Sequence, residues 1–271
     1  MQLLYGLHPV EEAIRSGNRR LESVLITRER ANHHPDARLQ SILDACHTAG
    51  IQVRLESKEQ LTRMARTEAH QGVVAVVAER GYSSLQELTQ PRGQHLFLLA
   101  LDGVEDPHNL GALLRTADGA GVDGVILPER RAASVNATVV KTSAGAAEHV
   151  RIARVTNLVR ALEELKRENI WCVGLDERGA QNYDTFDFRC NCVLVLGGEG
   201  GGLHDLARRT CDHLLRIPMA GQVSSLNVSV AGAIVMYEAA RQRRAAASTV
   251  PPMAEASLAA KPRRPLKGLG S

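Results

Sequence analysis

Leu96-Phe97-Leu98-Leu99-Ala100-Leu101 runs without a break into Asp102-Gly103-Val104-Glu105-Asp106-Pro107-His108-Asn109-Leu110-Gly111-Ala112-Leu113-Leu114-Arg115-Thr116-Ala117. An apolar run with no polar alternation reads as a strand covered on both faces, which is how strands of parallel sheets are written. The polar turn and the helically spaced segment behind it complete one strand-turn-helix unit. Further strands are expected at residues 124–127, 170–175, 192–196 and 213–217, with helices over 110–120, 158–168, 203–208 and 228–243. Strands alternating with helices predict an α/β fold on a parallel sheet, spanning residues 95–244.

Upstream, Val10 to Ile14 and Leu39 to Cys46 show helical spacing, and a further helix is expected from Ser57 to about Arg66. Short strands are expected at residues 23–27, 51–55 and 72–77. These predict a small α/β domain over residues 1–77. Residues 78–94, with Gly81, Pro91 and Gly93, read as a linker. Residues 245–271 lack periodicity and read as a disordered basic tail.

Composition excludes several classes. Lys261, Arg263, Arg264 and Lys267 against Glu255 account for the whole net charge of +3, so the body is neutral and any surface on it for an acidic partner must be a local patch. Aromatic residues make up 3% of the chain, too few for a base-stacking platform. The five cysteines contain no C-x-x-C pair, which argues against a zinc ribbon or disulfide framework and for reduced thiols in the cytoplasm. No signal-peptide pattern and no membrane-length apolar run is present, and no metal ligand set is expected.

Three motifs carry the chemistry. In the first, Asn109 near a helix N-terminus and Arg115 two turns further on stand at the carboxyl edge of the sheet, where α/β proteins bind ligands; a helix cap and a solvent-facing arginine are the alternative. The second, Gly197-Gly198-Glu199-Gly200-Gly201-Gly202, allows close backbone approach to a ligand around one carboxylate, and it matches neither a dinucleotide fingerprint nor a Walker loop. In the third, Ser225 and Asn227 precede a helix of small residues that can pack closely; a cap accounts for one of the two polar groups.

Together and in this order, these motifs resemble the SpoU or TrmH-like branch of the SPOUT methyltransferases, over about residues 96–244. Tyr5-Gly6-Leu7-His8-Pro9-Val10 and Gln71-Gly72-Val73 are similar to the ribosomal-protein-like RNA-binding domain that accompanies it. The resemblance implies a parallel-sheet domain ending in a trefoil knot, a homodimer with the active site near the subunit interface, and S-adenosylmethionine bound against Gly197, Ile217 and Leu226. It credits Asn109, Arg115, Glu199, Ser225 and Asn227 with catalysis and substrate positioning. The implied reaction is 2′-O-methylation of a guanosine ribose in the peptidyl transferase loop of 23S rRNA. A tRNA methyltransferase of the same branch and a non-catalytic RNA-binding protein are the alternatives. Lys141, Ser143 and Glu148 resemble a family segment near the interface, with a simple helix-packing role as the alternative, and Gly198 stands where many relatives carry alanine. An arginine side chain stays protonated, so Arg115 is read as a donor that orients ribose or phosphate, with Glu199 or a phosphate oxygen taking part in proton removal.

Overall fold

The computed structural model describes residues 1–32, 36–91 and 93–249. Two sheets organise the chain. The N-terminal part contains β1 (Gln2–Tyr5), α1 (Leu7–Ser16), β2 (Leu21–Thr27), α2 (Arg28–Asn32), α3 (Ala37–Ala49), β3 (Gln52–Glu56), α4 (Lys58–Ala65) and β4 (Val73–Val77). Its sheet runs in the order β1-β4-β2-β3, antiparallel except between β2 and β3. Asp36 and Ser57 cap α3 and α4 by accepting the Leu39 and Gln60 backbone N–H groups, which satisfies donors a helix start leaves open.

After the short helix α5 (Leu85–Leu88) come β5 (Phe97–Asp102), α6 (Pro107–Ala120), β6 (Gly124–Pro128), α7 (Ala137–Thr142), β7 (Ile152–Val155), α8 (Leu158–Arg167), β8 (Trp171–Leu175) and β9 (Gln181–Asn182). The chain ends with β10 (Cys192–Gly197), α9 (Asp205–Thr210), β11 (His213–Arg216) and α10 (Val228–Thr249). All seven strands pair in parallel, in the order β7-β6-β5-β10-β8-β11-β9. The expected α/β fold with a small domain and a parallel sheet is the one observed.

Both faces of the sheet are covered, as the unbroken apolar run of β5 requires. Phe97, Leu99 and Leu101 join a core with Leu113 of α6 and Val235 and Met236 of α10. Leu98 and Ala100 face the other way, into a core with Leu158, Leu162 and Leu165 of α8. The first core continues into the small domain through Leu4, Val10 and Val24. The small residues of α10 let it settle closely: a Cβ at Gly232 would come within 2.6 Å of Leu196 and 2.7 Å of Leu113.

Polar contacts fasten the small domain to the segment around α7. Arg19 and Glu148, each 1% exposed in its side chain, pair at 2.8 Å, and Asn18 donates to the Glu148 carbonyl at 2.7 Å. Lys141 donates to the Ala69 carbonyl at 2.7 Å, and Glu12 meets His149 at 2.6 Å. A buried pair of this kind costs desolvation, which offsets much of what the charge attraction contributes to stability.

Two expectations need amending. Residues 78–91 are packed, not a free linker: Arg80 donates to the Val150 carbonyl, Ser83 bridges to Ala153, and Leu88 is fully buried beside Gly124. The last helix runs through Thr249, so the tail does not begin at residue 245; three alanines at 245–247 favour helix, and the first proline comes only at 251. The rest of the expected tail, 250–271, lies outside the described residues. Among the described residues no helix is long and apolar enough to cross a membrane, and no group of side chains could hold a metal ion. The five cysteines are free thiols.

Candidate active site

The carboxyl edge of the parallel sheet brings the three motifs together. Asp106 is the N-cap of α6, accepting the His108 N–H at 3.0 Å, with Pro107 at the first helical position, where its missing N–H costs nothing. Asn109 is therefore not the cap. It is buried at 6% exposure, and its amide nitrogen donates to Oε1 of Glu199. The Asn227 amide nitrogen donates to the Asn109 Oδ1 at 3.1 Å and to the same Glu199 Oε1 at 3.2 Å.

Asn227 does a second job with its other atom. Its Oδ1 accepts the Ser229 N–H at 2.9 Å and the Ser229 hydroxyl at 2.6 Å at the start of α10. The cap uses the oxygen of this residue and leaves its nitrogen to bond Asn109 and Glu199. Among the described residues no donor reaches Oε2 of Glu199. One carboxylate oxygen is held by two amides and the other by none.

Two cavities meet at this carboxylate. The first, about 430 Å³, is lined by Gly197 to Gly202, Ile217, Ser225 and Leu226, and by Asp176 and Glu177. The second, about 410 Å³, is lined by Gly103 to Asp106, Asn109 and His204. Gly198, Glu199, Gly201 and Gly202 belong to both. Volumes of this size suit one small molecule or one nucleotide each.

Two glycines of the loop have no room for a side chain. A Cβ at Gly197 would come 2.0 Å from the Gly202 carbonyl carbon, and one at Gly198 would come 2.1 Å from the Gly103 carbonyl oxygen. The alanine expected from relatives at 198 has no room in this chain. Gly103 itself sits at φ 82, a left-handed conformation, where the chain turns off β5.

All three residues expected to hold the cofactor, Gly197, Ile217 and Leu226, line the first cavity, and Ser225 lies among them. Asn109, Glu199 and Asn227 are bonded to one another. Arg115 is not with them: it is exposed, lines neither cavity, and has no polar partner among the described residues. Six residues along a helix turn the side chain by about 240°, so Asn109 and Arg115 cannot share a face. Lys141 and Glu148 hold the small domain, and Ser143 bonds within its own turn to the Val140 carbonyl at 2.9 Å.

The motif reading passed over a neighbouring pair. Asp102, at the end of β5, accepts the His204 backbone N–H at 2.8 Å and faces its Nδ1 at 3.0 Å. An acid at the carboxyl end of a buried strand and a histidine closing the glycine loop were the available signals.

Comparison with known proteins identifies the family. The SpoU rRNA Methylase family model matches residues 96–237, and a model described as RNA 2′-O ribose methyltransferase substrate binding matches residues 3–83. The 23S rRNA (guanosine-2′-O-)-methyltransferase RlmB of Bordetella pertussis is 43% identical over 244 residues, covering 90% of this chain and 98% of its own. The protein of the same name from Escherichia coli K12 is 42% identical over 249 residues, covering 89% and 99%. Among solved structures, the SpoU methyltransferase AviRb from Streptomyces viridochromogenes in complex with AdoMet superposes with a TM-score of 0.75 at 28% identity, covering 90% of each chain.

Proposed function

The chain belongs to the SpoU rRNA methylase family, and on that premise we propose that it moves a methyl group from S-adenosylmethionine to the ribose 2′-hydroxyl of a guanosine in 23S rRNA. The observation that carries this reading is Glu199 on a wall common to two cavities, because group transfer needs two bound molecules to meet in one geometry.

S-adenosylmethionine supplies an electrophilic methyl group on a cationic sulfur. The first cavity fits such a molecule: glycine backbone permits close approach, Ile217 and Leu226 offer apolar contact, and Asp176 and Glu177 offer negative charge to its cationic groups. The second cavity would take the ribose. Asn109 and Asn227 fix Glu199 through Oε1, so that Oε2 is oriented to accept the hydroxyl proton. Arg115 would donate to ribose or phosphate oxygens from across a subunit interface, which accounts for its exposed and unpartnered state within one chain.

The reading carries a homodimer, a cytoplasmic location and a knotted path through β10 and β11. Two close backbone passages between segments distant in sequence fit such a path: Gly198 against the Gly103 carbonyl, and Gly179 against the Leu215 carbonyl carbon at 2.5 Å from a would-be Cβ. A Bacillus subtilis relative, 43% identical over 207 residues, is named a putative TrmH family tRNA/rRNA methyltransferase, so tRNA is the substrate to test against. The purified protein is incubated with methyl-labelled S-adenosylmethionine and either unmodified 23S rRNA or unmodified tRNA. Label is expected in an alkali-resistant dinucleotide beginning with guanosine from 23S rRNA. Label in tRNA alone, or on a base, overturns the reading.

A further inference from the structure

Residues 129–136, between β6 and α7, tie the second cavity to the small domain. The Ala133 N–H donates to the carbonyl of Val104, which lines that cavity, at 2.9 Å. Two residues on, the Gln2 side-chain amide of β1 donates to the Val135 carbonyl at 3.0 Å. Ala133 and Val135 are buried, so the loop is anchored at both points.

Ahead of those anchors the loop exposes Arg130 and Arg131. Arg131 is held at φ 56, a left-handed conformation that side-chain-bearing residues seldom adopt and that glycine takes freely. Strain of this kind persists where the surroundings fix it, and it gathers at functional positions. Neither guanidinium has a polar partner among the described residues. The nearest carboxylate in sequence, Glu129, is engaged by the Thr156 hydroxyl at 3.3 Å, and Arg154 bonds the Glu129 carbonyl at 3.1 Å. Arg131 lies within about 7 Å of Ala133 along the chain, hence close to the cavity rim.

The local charge gives these two cations a purpose. Glu105, Asp106 and Glu199 line the second cavity, and Asp102 lies behind His204, so a polyanion brought to that cavity meets carboxylates. The body of the chain has no net positive charge to offset them. Free guanidiniums beside the rim do so locally, and their planar forks suit phosphate oxygens.

Building on ribose methylation as the reaction, we propose that Arg130 and Arg131 form a phosphate-binding pair that grips the RNA backbone beside the target nucleotide, between the small domain and the second cavity. The pair takes phosphodiesters without regard to base sequence. It sets the path along which RNA held by the small domain enters the site.

The test compares the full-length wild type with Arg131→Gly and with the Arg130→Ala/Arg131→Ala double variant. Arg131→Gly removes one guanidinium and relaxes the left-handed backbone, so it keeps the fold. Affinity for an unmodified transcript of 23S rRNA is measured over a salt series, and methyl incorporation is measured on the same samples. Each lost contact should make the slope of log affinity against log salt shallower by about 0.7 on single-stranded RNA, and the double variant by about twice that. Wild-type methylation with an unchanged slope in both variants overturns the phosphate pair and leaves ribose methylation standing. Shallower slopes beside a wild type that methylates no ribose keep the pair and overturn the reaction it was inferred for.

Discussion

A single amide shows how much one side chain can be asked to do. Asn227 caps α10 with its oxygen and holds Glu199 and Asn109 with its nitrogen. The two roles come apart on substitution. Asn227→Ser keeps an oxygen able to cap the helix and loses the amide donor, whereas Asn227→Ala loses both. The alanine variant should therefore lose about 1 kcal/mol of stability relative to serine, the usual worth of an N-cap. Methyl transfer should fall to a similar low level in the two. Urea unfolding and single-turnover methylation of each variant check this; a serine variant with wild-type turnover would remove the nitrogen from the site's chemistry.

Whole elements carry a different kind of information, seen in the loop that joins α4 to β4. His70 is buried at 2% exposure; its Nδ1 accepts the Gly72 N–H at 3.0 Å, so the proton sits on Nε2 and is shared with the Thr62 hydroxyl at 3.0 Å. Burial, and after it the charge of Lys58, push this imidazole below its ordinary value of 6.5. A lowered value in the folded state means that the unfolded chain binds the extra proton first. The stability His70 contributes is therefore present above its ordinary value and is lost as pH falls through the lowered one. Wild-type urea midpoints should drop between about pH 7.5 and about pH 5.5 by more than those of His70→Asn, which cannot take up the proton. An equal drop in both would exclude His70 as the source. The sequence announced α4 and β4 through spacing and turns, but not this staple, because a histidine's partners are set by tertiary contacts. The same limit applies to β7, a four-residue edge strand too short to show a period, and to α7, whose six residues are held by the Asn136 cap and by packing on α6. Asn109 and Glu199 were legible as motif residues, yet their bond closes a separation of 90 residues that no local pattern encodes.

At the scale of the whole molecule, Arg115 stands apart from the site that the rest of its motif builds. The motif that contains Asn109 contains Arg115 as well, but helical phase sends them to different faces, and the protomer's own cavities are completed without the arginine. An exposed guanidinium without a partner can still serve a ribose if a second chain presents it, and the proposed homodimer would then be the catalytic unit. Arg115→Ala should then keep cofactor affinity and thermal stability near wild type while turnover falls by about 100-fold or more, the scale of losing a donor to developing negative charge. Arg115→Lys should recover little, because an ammonium cannot reproduce the planar fork. Glu199→Gln should be inactive for a separate reason, having no carboxylate to take the proton. Mixed after unfolding and refolding together, equal amounts of Arg115→Ala and Glu199→Gln chains give dimers of which half are mixed. If Arg115 acts across the interface, each mixed dimer holds one complete site of two, built from Glu199 of one chain and Arg115 of the other, and turnover returns to about a quarter of wild type. If Arg115 serves its own chain, every site in the mixture lacks one of the two groups, and turnover stays at the level of the single variants.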